Sequence, residues 1–138
     1  MSLTQRTPSG QPPSFTSFCA AGFIDRLVAR GLPADDIRRA SAPGLSHIEI
    51  GYAAAQKLVK DGGWPDGVLC VSDMIAYGAY RLAAEGNVAI PDRCALIGID
   101  GNAINRWIAP WLTSIRIPYE HFGQYVVCLL YTSDAADE

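Results

Sequence analysis

The stretch "GVLCVSDMIAYGAYRLAAEG", residues 67–86, decides the fold, and "ALIGIDGN", residues 95–102, repeats its logic. Each opens as a short, wholly apolar run and stops at an acid, Asp73 in the first and Asp100 in the second. Runs of this length, apolar on both alternating faces and bounded by turn residues, predict strands covered on both sides, as in a parallel sheet. After the first run Ser72 or Asp73 predicts a helix cap, because a short side-chain oxygen can accept an unpaired helix-start amide. Ile75, Ala79, Leu82 and Ala83 then recur at helical spacing up to Gly86.

The same reading extends outward. "FCAAGFIDRLVARGLP" predicts a helix with Phe23, Leu27 and Val28 on its apolar face and Gly31 as its stop. "DIRRASA" reads as a short strand. Ser46 and Glu49 stand in capping-box spacing ahead of Ile50, Ala54, Leu58 and Val59, which predicts a second helix ending at Gly62-Gly63. After "CALIGID" come an irregular stretch with Trp107 and Trp111, a short strand "LTSIRI", and a helix beginning near Tyr119. Helices and strands alternating at this spacing predict an α/β fold, a doubly wound and mainly parallel sheet.

Composition narrows the function. The 138 residues carry 49% hydrophobic and 18% charged side chains and a formal net charge of −3. Lysines and arginines are scattered singly, so nothing offers nucleic acid a basic stripe. No apolar run approaches the roughly 18 residues of a membrane span, and the polar, Pro-rich start lacks the apolar centre of an export signal; a cytoplasmic location is expected. The four cysteines form no C-x-x-C pair, and Cys70 and Cys94 sit inside apolar runs as small core residues. His47 and His121 read as solvated positions. No metal site, cofactor or catalytic residue is expected: no nucleophile has a base at suggestive spacing, and no phosphate-cradling glycine motif occurs.

The two acids admit several uses. In open α/β sheets ligands bind beyond the carboxyl ends of the strands, where Ser72, Asp73 and Asp100 fall. Asp73 has work as a helix cap. Asp100 either makes a local turn bond in "DGN" or accepts hydroxyl donors from a sugar or polyol. A small hydrolase using both acids stays open as an alternative class.

The ordered run "PDGVLCVSDMIAYGAYRLAAEGNVAIPDRCALIGIDGN" followed by "IAPWLTSIRIPYEHFG" resembles the effector-binding domain of lactose-repressor-type (LacI/GalR) transcriptional regulators, over roughly residues 18–127. The resemblance implies a periplasmic-binding-protein-like type I fold, incomplete and mostly the C-terminal subdomain. That subdomain would span 18–117, with 118–127 starting a helix that returns to the N-terminal subdomain. It also implies a sugar-like small-molecule effector, operator DNA bound through a helix-turn-helix outside this sequence, and a homodimer in the full-length protein. A solute-binding protein of a transport system is the alternative within the same fold.

Carried over position by position, the resemblance makes Asp100 an acceptor for effector hydroxyls. It puts Ser72 where the family has a ligand-facing Asn and Asp73 beside it. Cys19 falls where an arginine often clamps the sugar, Ser46 where an aromatic often stacks, and Tyr119 at an aromatic of the subdomain crossover. Tyr77, Trp107 and Ile108 would form an apolar dimer patch. Residues 1–17 read as irregular. The strand expected before "FCAAGF" is missing from the pattern, so open sheet edges and a poorly stable chain that binds neither operator nor effector well are expected. "CLLYTSDAADE", residues 128–138, breaks the helical pattern and resembles a translated sequencing adapter, a reading that the coding DNA would decide.

Overall fold

The computed structural model describes residues 2–3 and 15–134, with side chains over 20–128. Five strands form one sheet: β1 (Ser2–Leu3), β2 (Arg39–Ala40), β3 (Gly67–Cys70), β4 (Ala95–Asp100) and β5 (Thr113–Arg116). Their order is β2-β1-β3-β4-β5, and every neighbouring pair is parallel. Five helices connect and extend them: α1 (Phe15–Ala29), α2 (His47–Lys60), α3 (Asp73–Glu85), α4 (Asn105–Ile108) and α5 (Phe122–Asp134). The doubly wound parallel sheet expected from the alternation is therefore present.

Two expectations need correction. The strand that the pattern lacked is supplied by Ser2–Leu3, which pairs with Arg39–Ala40 on one side and Leu69–Cys70 on the other. Residues 1–17 are thus not uniformly irregular, and no gap divides the sheet between β2 and β3. Two residues are too short to show a period, and they lie a dozen positions upstream of the helix they precede. The second correction is at the other end: α5 continues through Cys128 to Asp134, because no Gly or Pro interrupts the chain after Gly123. Residues 135–138 lie outside the described residues.

From β1 the chain moves outward to β2, then crosses back over β1 to β3 and on to β4 and β5. Right-handed crossovers therefore put α1 on one face and the pair α2–α3 on the other. Alternation along β3 agrees: Val68 and Cys70 join the core under α2 and α3, whereas Leu69 and Ile97 face Phe23 and Leu27 of α1. On α1 itself Ala20 and Ile24 are buried and Val28 is exposed, so the apolar face is rotated from the expected Phe23–Leu27–Val28 line. The main core collects Ala54, Ala55, Leu58, Val68, Cys70, Ile75, Ala79, Cys94 and Leu96, and both cysteines are fully buried. Burial pushes the Cys70 thiol far up, which leaves it inert as a nucleophile.

The helix starts follow the sequence. Ser46 Oγ accepts the Glu49 amide at 3.3 Å, and the Glu49 carboxylate accepts the amides of Ser46 at 3.0 Å and Leu45 at 2.9 Å. At the other end of α2 the Arg38 guanidinium donates to the Leu58 and Gly63 carbonyls. Replacing Ser46→Ala should cost about 1 kcal/mol of unfolding free energy, read in urea denaturation, because an exposed box loses one acceptor and no core contact.

Candidate binding cleft at the carboxyl rim

Ligands of open α/β sheets bind beyond the carboxyl ends of the strands; here the winding reverses between β1 and β3, and the cleft that holds Asp100 lies on the same rim beyond β4 and β5. Three loops meet on this rim: the starts of α2 and α3 and the turn after β4. Asp100 ends β4 and turns the chain with φ +135°, followed by Gly101 at +66°. A non-glycine residue in that region carries about 1–3 kcal/mol of backbone strain, which persists only where neighbours enforce it. Here the Asp100 carbonyl accepts the Ile117 amide at 3.4 Å, and its carboxylate accepts the Tyr119 hydroxyl at 3.5 Å.

Asp100, Gly101, Asn102, Ala103, Arg116, Tyr119 and Glu120 line an open cleft of ≈ 520 Å³. Within it Arg116 is paired to Glu120 at 2.8 Å, both side chains well exposed, and the Tyr119 hydroxyl stands beside the Asp100 carboxylate. Partial burial raises the Asp100 carboxyl above its ordinary value; the Asp73 backbone amide pulls it down, the Asp73 charge pushes it up, and the Tyr119 hydroxyl and His47 oppose the rise. Tyr119 is likewise raised, by burial and by the Asp100 charge. A larger hollow of ≈ 780 Å³ lies beyond β2, walled by Ser41, Pro43, Gly44, Ile50, Ala53 and Lys57, and among the described residues no acid lines it.

The other expected site residues are distributed differently. Ser72 is the N-cap of α3, its Oγ accepting the Ile75 amide at 3.4 Å, and Ser46 caps α2. Both hydroxyls are committed to backbone amides while standing on the rim. Asp73 is not a cap. It is the first residue inside α3, 1% exposed, and its carboxylate turns toward β4 and β5. There it accepts the Asn102 amide at 3.0 Å, the Asn105 side-chain amide at 2.8 Å and the Ser114 hydroxyl. Space for it exists because position 98 is glycine: a Cβ there would stand 2.3 Å from Asp73 Oδ1. The correction has a physical cause, since Ser72 already serves the helix start and a buried carboxylate needs more donors than one cap supplies. The side chain of Cys19 falls outside the described residues.

The expected dimer residues lie on different levels. Trp107 is 80% exposed and Ile108 58% exposed on α4, with Ile104 exposed beside them. Tyr77 is half-buried: its hydroxyl donates to Asn105 Oδ1 and its ring meets Trp111 edge-on at 6.4 Å. Ser114, Asn102 and Asn105 escaped the sequence reading. Their partners lie 29–41 residues away, and no local spacing marks them.

The parallel α/β sheet is that of a periplasmic binding protein-like domain, and that family matches residues 17–133. The lactose operon repressor of Rhizobium radiobacter is 32% identical over 82 residues, which are 59% of this chain and 73% of that protein. An HTH-type transcriptional regulator from the aml 5′ region of Streptomyces limosus is 34% identical over 100 residues, 72% of this chain and 28% of that one. A LacI family transcriptional regulator from Enterococcus faecium, solved with bound ribose, superposes with a TM-score of 0.74 at 26% identity, over 99% of this chain and 48% of that chain. The chain belongs to the LacI family of transcriptional regulators. It spans between a quarter and three quarters of these relatives' lengths, about half in the case of the solved structure. These relatives are regulators, not enzymes or transport components, and among the described residues no helix is long and apolar enough to cross a membrane.

Proposed function

We propose that this chain forms part of the effector-sensing half of a cytoplasmic, DNA-binding transcriptional regulator, and that its effector is a neutral sugar or sugar-like polyol held at Asp100. The carrying observation is the acid itself: a carboxylate at the end of β4, partly desolvated, beside a tyrosine hydroxyl in an open cleft. A carboxylate offers two oxygens and several acceptor positions, so adjacent hydroxyls of one sugar ring can donate to it together. The nearby guanidinium of Arg116 is neutralised by Glu120, so the described part of the cleft favours an uncharged guest over a phosphorylated or carboxylated one. The relative from Enterococcus faecium carries ribose, a neutral polyol of this class.

Regulation would follow as a population shift: an effector that binds one cleft closure better than another biases the arrangement of the DNA-binding part, which the resemblance places outside this sequence. The exposed Trp107 and Ile108 on α4, with Ile104 just before it, would meet their counterparts across a two-fold axis in a homodimer, with Tyr77 bracing α4 from behind.

The test is calorimetric titration of the 138-residue chain with D-ribose and a panel of neutral pentoses, hexoses and disaccharides. One sugar should bind saturably, and Asp100→Asn should weaken it about 10- to 100-fold, the worth of a hydrogen bond to a charged group. Binding that survives the substitution unchanged, or no binding across the panel, would overturn the reading.

The same substitution has an opposite effect on stability. A raised folded pKa means that the folded state holds the Asp100 proton more tightly than the unfolded chain does. The stability this confers is complete below the ordinary value of 3.8 and is lost as the pH rises through the raised folded value. At neutral pH the ionised acid therefore costs the fold, and Asp100→Asn should melt higher than the parent at pH 7. That advantage should vanish below pH ~4. Thermal melts across this range check both halves.

A further inference from the structure

We propose that Asp73 and Ser114 are positioning residues that clamp the two peptide groups following Asp100, and so hold its carboxylate in the strained turn that faces the cleft. What Asp100 is held ready for rests on the functional reading above; the clamp itself does not.

Asp73 is a buried acid for which the described residues offer no ion-pair partner. Leaving such a charge unpaired in the interior is expensive, and it is tolerated only where hydrogen bonds converge on it. The three donors come from the β4–β5 segment, beyond its own helix. Serving α3 does not explain them, because Ser72 already caps that helix.

The two residues at and after the strained turn are tied to this acid, Asn102 directly and Gly101 through Ser114. The Gly101 amide donates to Ser114 Oγ at 2.9 Å, and the Ser114 hydroxyl passes its proton toward Asp73 Oδ1. The Asn102 amide donates directly to Asp73 Oδ2 at 3.0 Å. Successive N–H groups at 101 and 102 are thus held on interior acceptors directly after and within the two residues of positive φ, Asp100 and Gly101. Turned any other way, either amide would leave the buried carboxylate or the serine with an empty acceptor position.

The remaining donor extends the clamp. Asn105 Nδ2 reaches Asp73 Oδ2 at 2.8 Å, and Asn105 Oδ1 accepts the Tyr77 hydroxyl. Asn105 opens α4, a helix of four residues with no side-chain N-cap of its own. The same carboxylate that fixes the Asp100 turn therefore also fixes the element carrying Trp107 and Ile108. Gly98 completes the arrangement, since any side chain there would occupy the space of Asp73 Oδ1.

The test is amide hydrogen exchange by NMR on the ¹⁵N-labelled chain, comparing the parent with Ser114→Ala, Ser114→Thr and Asp73→Asn. Gly101 should exchange at least tenfold faster in Ser114→Ala and Asn102 at least tenfold faster in Asp73→Asn, while Leu69 and Val71 keep their parental rates. Ser114→Thr, which retains the hydroxyl, should restore the protection. D-ribose, or whichever sugar of the panel binds, should lose at least tenfold in affinity in the two deficient variants and recover with threonine. Unchanged rates at 101 and 102 would overturn the proposal. So would equal acceleration across the sheet, which marks a general loss of stability instead of a clamp. Should Asp73→Asn fail to fold, the two Ser114 variants decide alone. Should the parent bind no sugar, the functional reading falls while the exchange rates still decide the clamp.

Discussion

Gly78→Ala is expected to lower the unfolding free energy by about 3 kcal/mol, against the direction that helix propensity alone would give. Gly78 lies inside α3 with ordinary helical φ, where alanine is normally better by about 1 kcal/mol. A Cβ built there, however, would stand 2.0 Å from the Ile48 carbonyl oxygen, 2.6 Å from the Tyr52 nitrogen and 3.0 Å from the Gly51 carbonyl carbon. All three are backbone atoms, so no rotamer change relieves the clash; α2 and α3 must separate. Gly51 meets α3 in the same way, its missing Cβ directed at the Ile75 carbonyl at 2.1 Å. Gly22, inside α1 with nothing within 4 Å, is the internal control: Gly22→Ala should gain about 0.5–1 kcal/mol. Urea midpoints with unchanged slopes would read both signs. A neutral or stabilised Gly78→Ala would mean that the two helices do not touch through their backbones.

The second large effect belongs to Asp73→Ala, expected to cost about 3 kcal/mol. Truncation leaves the Asn102 amide, the Asn105 side-chain amide and the Ser114 hydroxyl with their shared acceptor gone, in a place that 1% exposure marks as closed. Each stranded donor costs about 1–3 kcal/mol, offset in part because a buried charge disappears with the carboxylate. Asp66 gives the contrast. It pairs with Arg93 at 3.4 Å with both side chains exposed, and Asp66→Ala should change stability by no more than about 0.5 kcal/mol. A loss below 1 kcal/mol for Asp73→Ala would mean that its three donors find other partners.

Much of the fold was legible because its signals are local. "GVLCV" and "CALIGI" are apolar in both alternating registers, and Ser46 with Glu49 has one short-range use. The acid at position 100 was legible too, through its place at the end of a buried strand. The failures share a cause, which is distance along the chain. β1 is two residues long, and only its position between Arg39–Ala40 and Leu69–Cys70 makes it a strand. Asp73 offered a ready local explanation as a cap, while its true partners are 29, 32 and 41 positions away. Val28 was placed on the buried side by periodicity, and a modest rotation of α1 toward Ala20 and Ile24 turned it outward. Nothing near Ser114 distinguishes a clamp from an ordinary strand hydroxyl.

Through Gly51 and Gly78, α2 and α3 meet backbone to backbone. Helices that meet through side chains can slide by a repacking of rotamers, whereas two that meet peptide against peptide have a fixed gauge. His47 and Ser72, at the heads of the two helices, are therefore mounted at a constant spacing, like teeth cut from one comb. Substitutions at positions 47 and 72 change the groups carried on the rim, while the pitch between them stays set until Gly51 or Gly78 is lost.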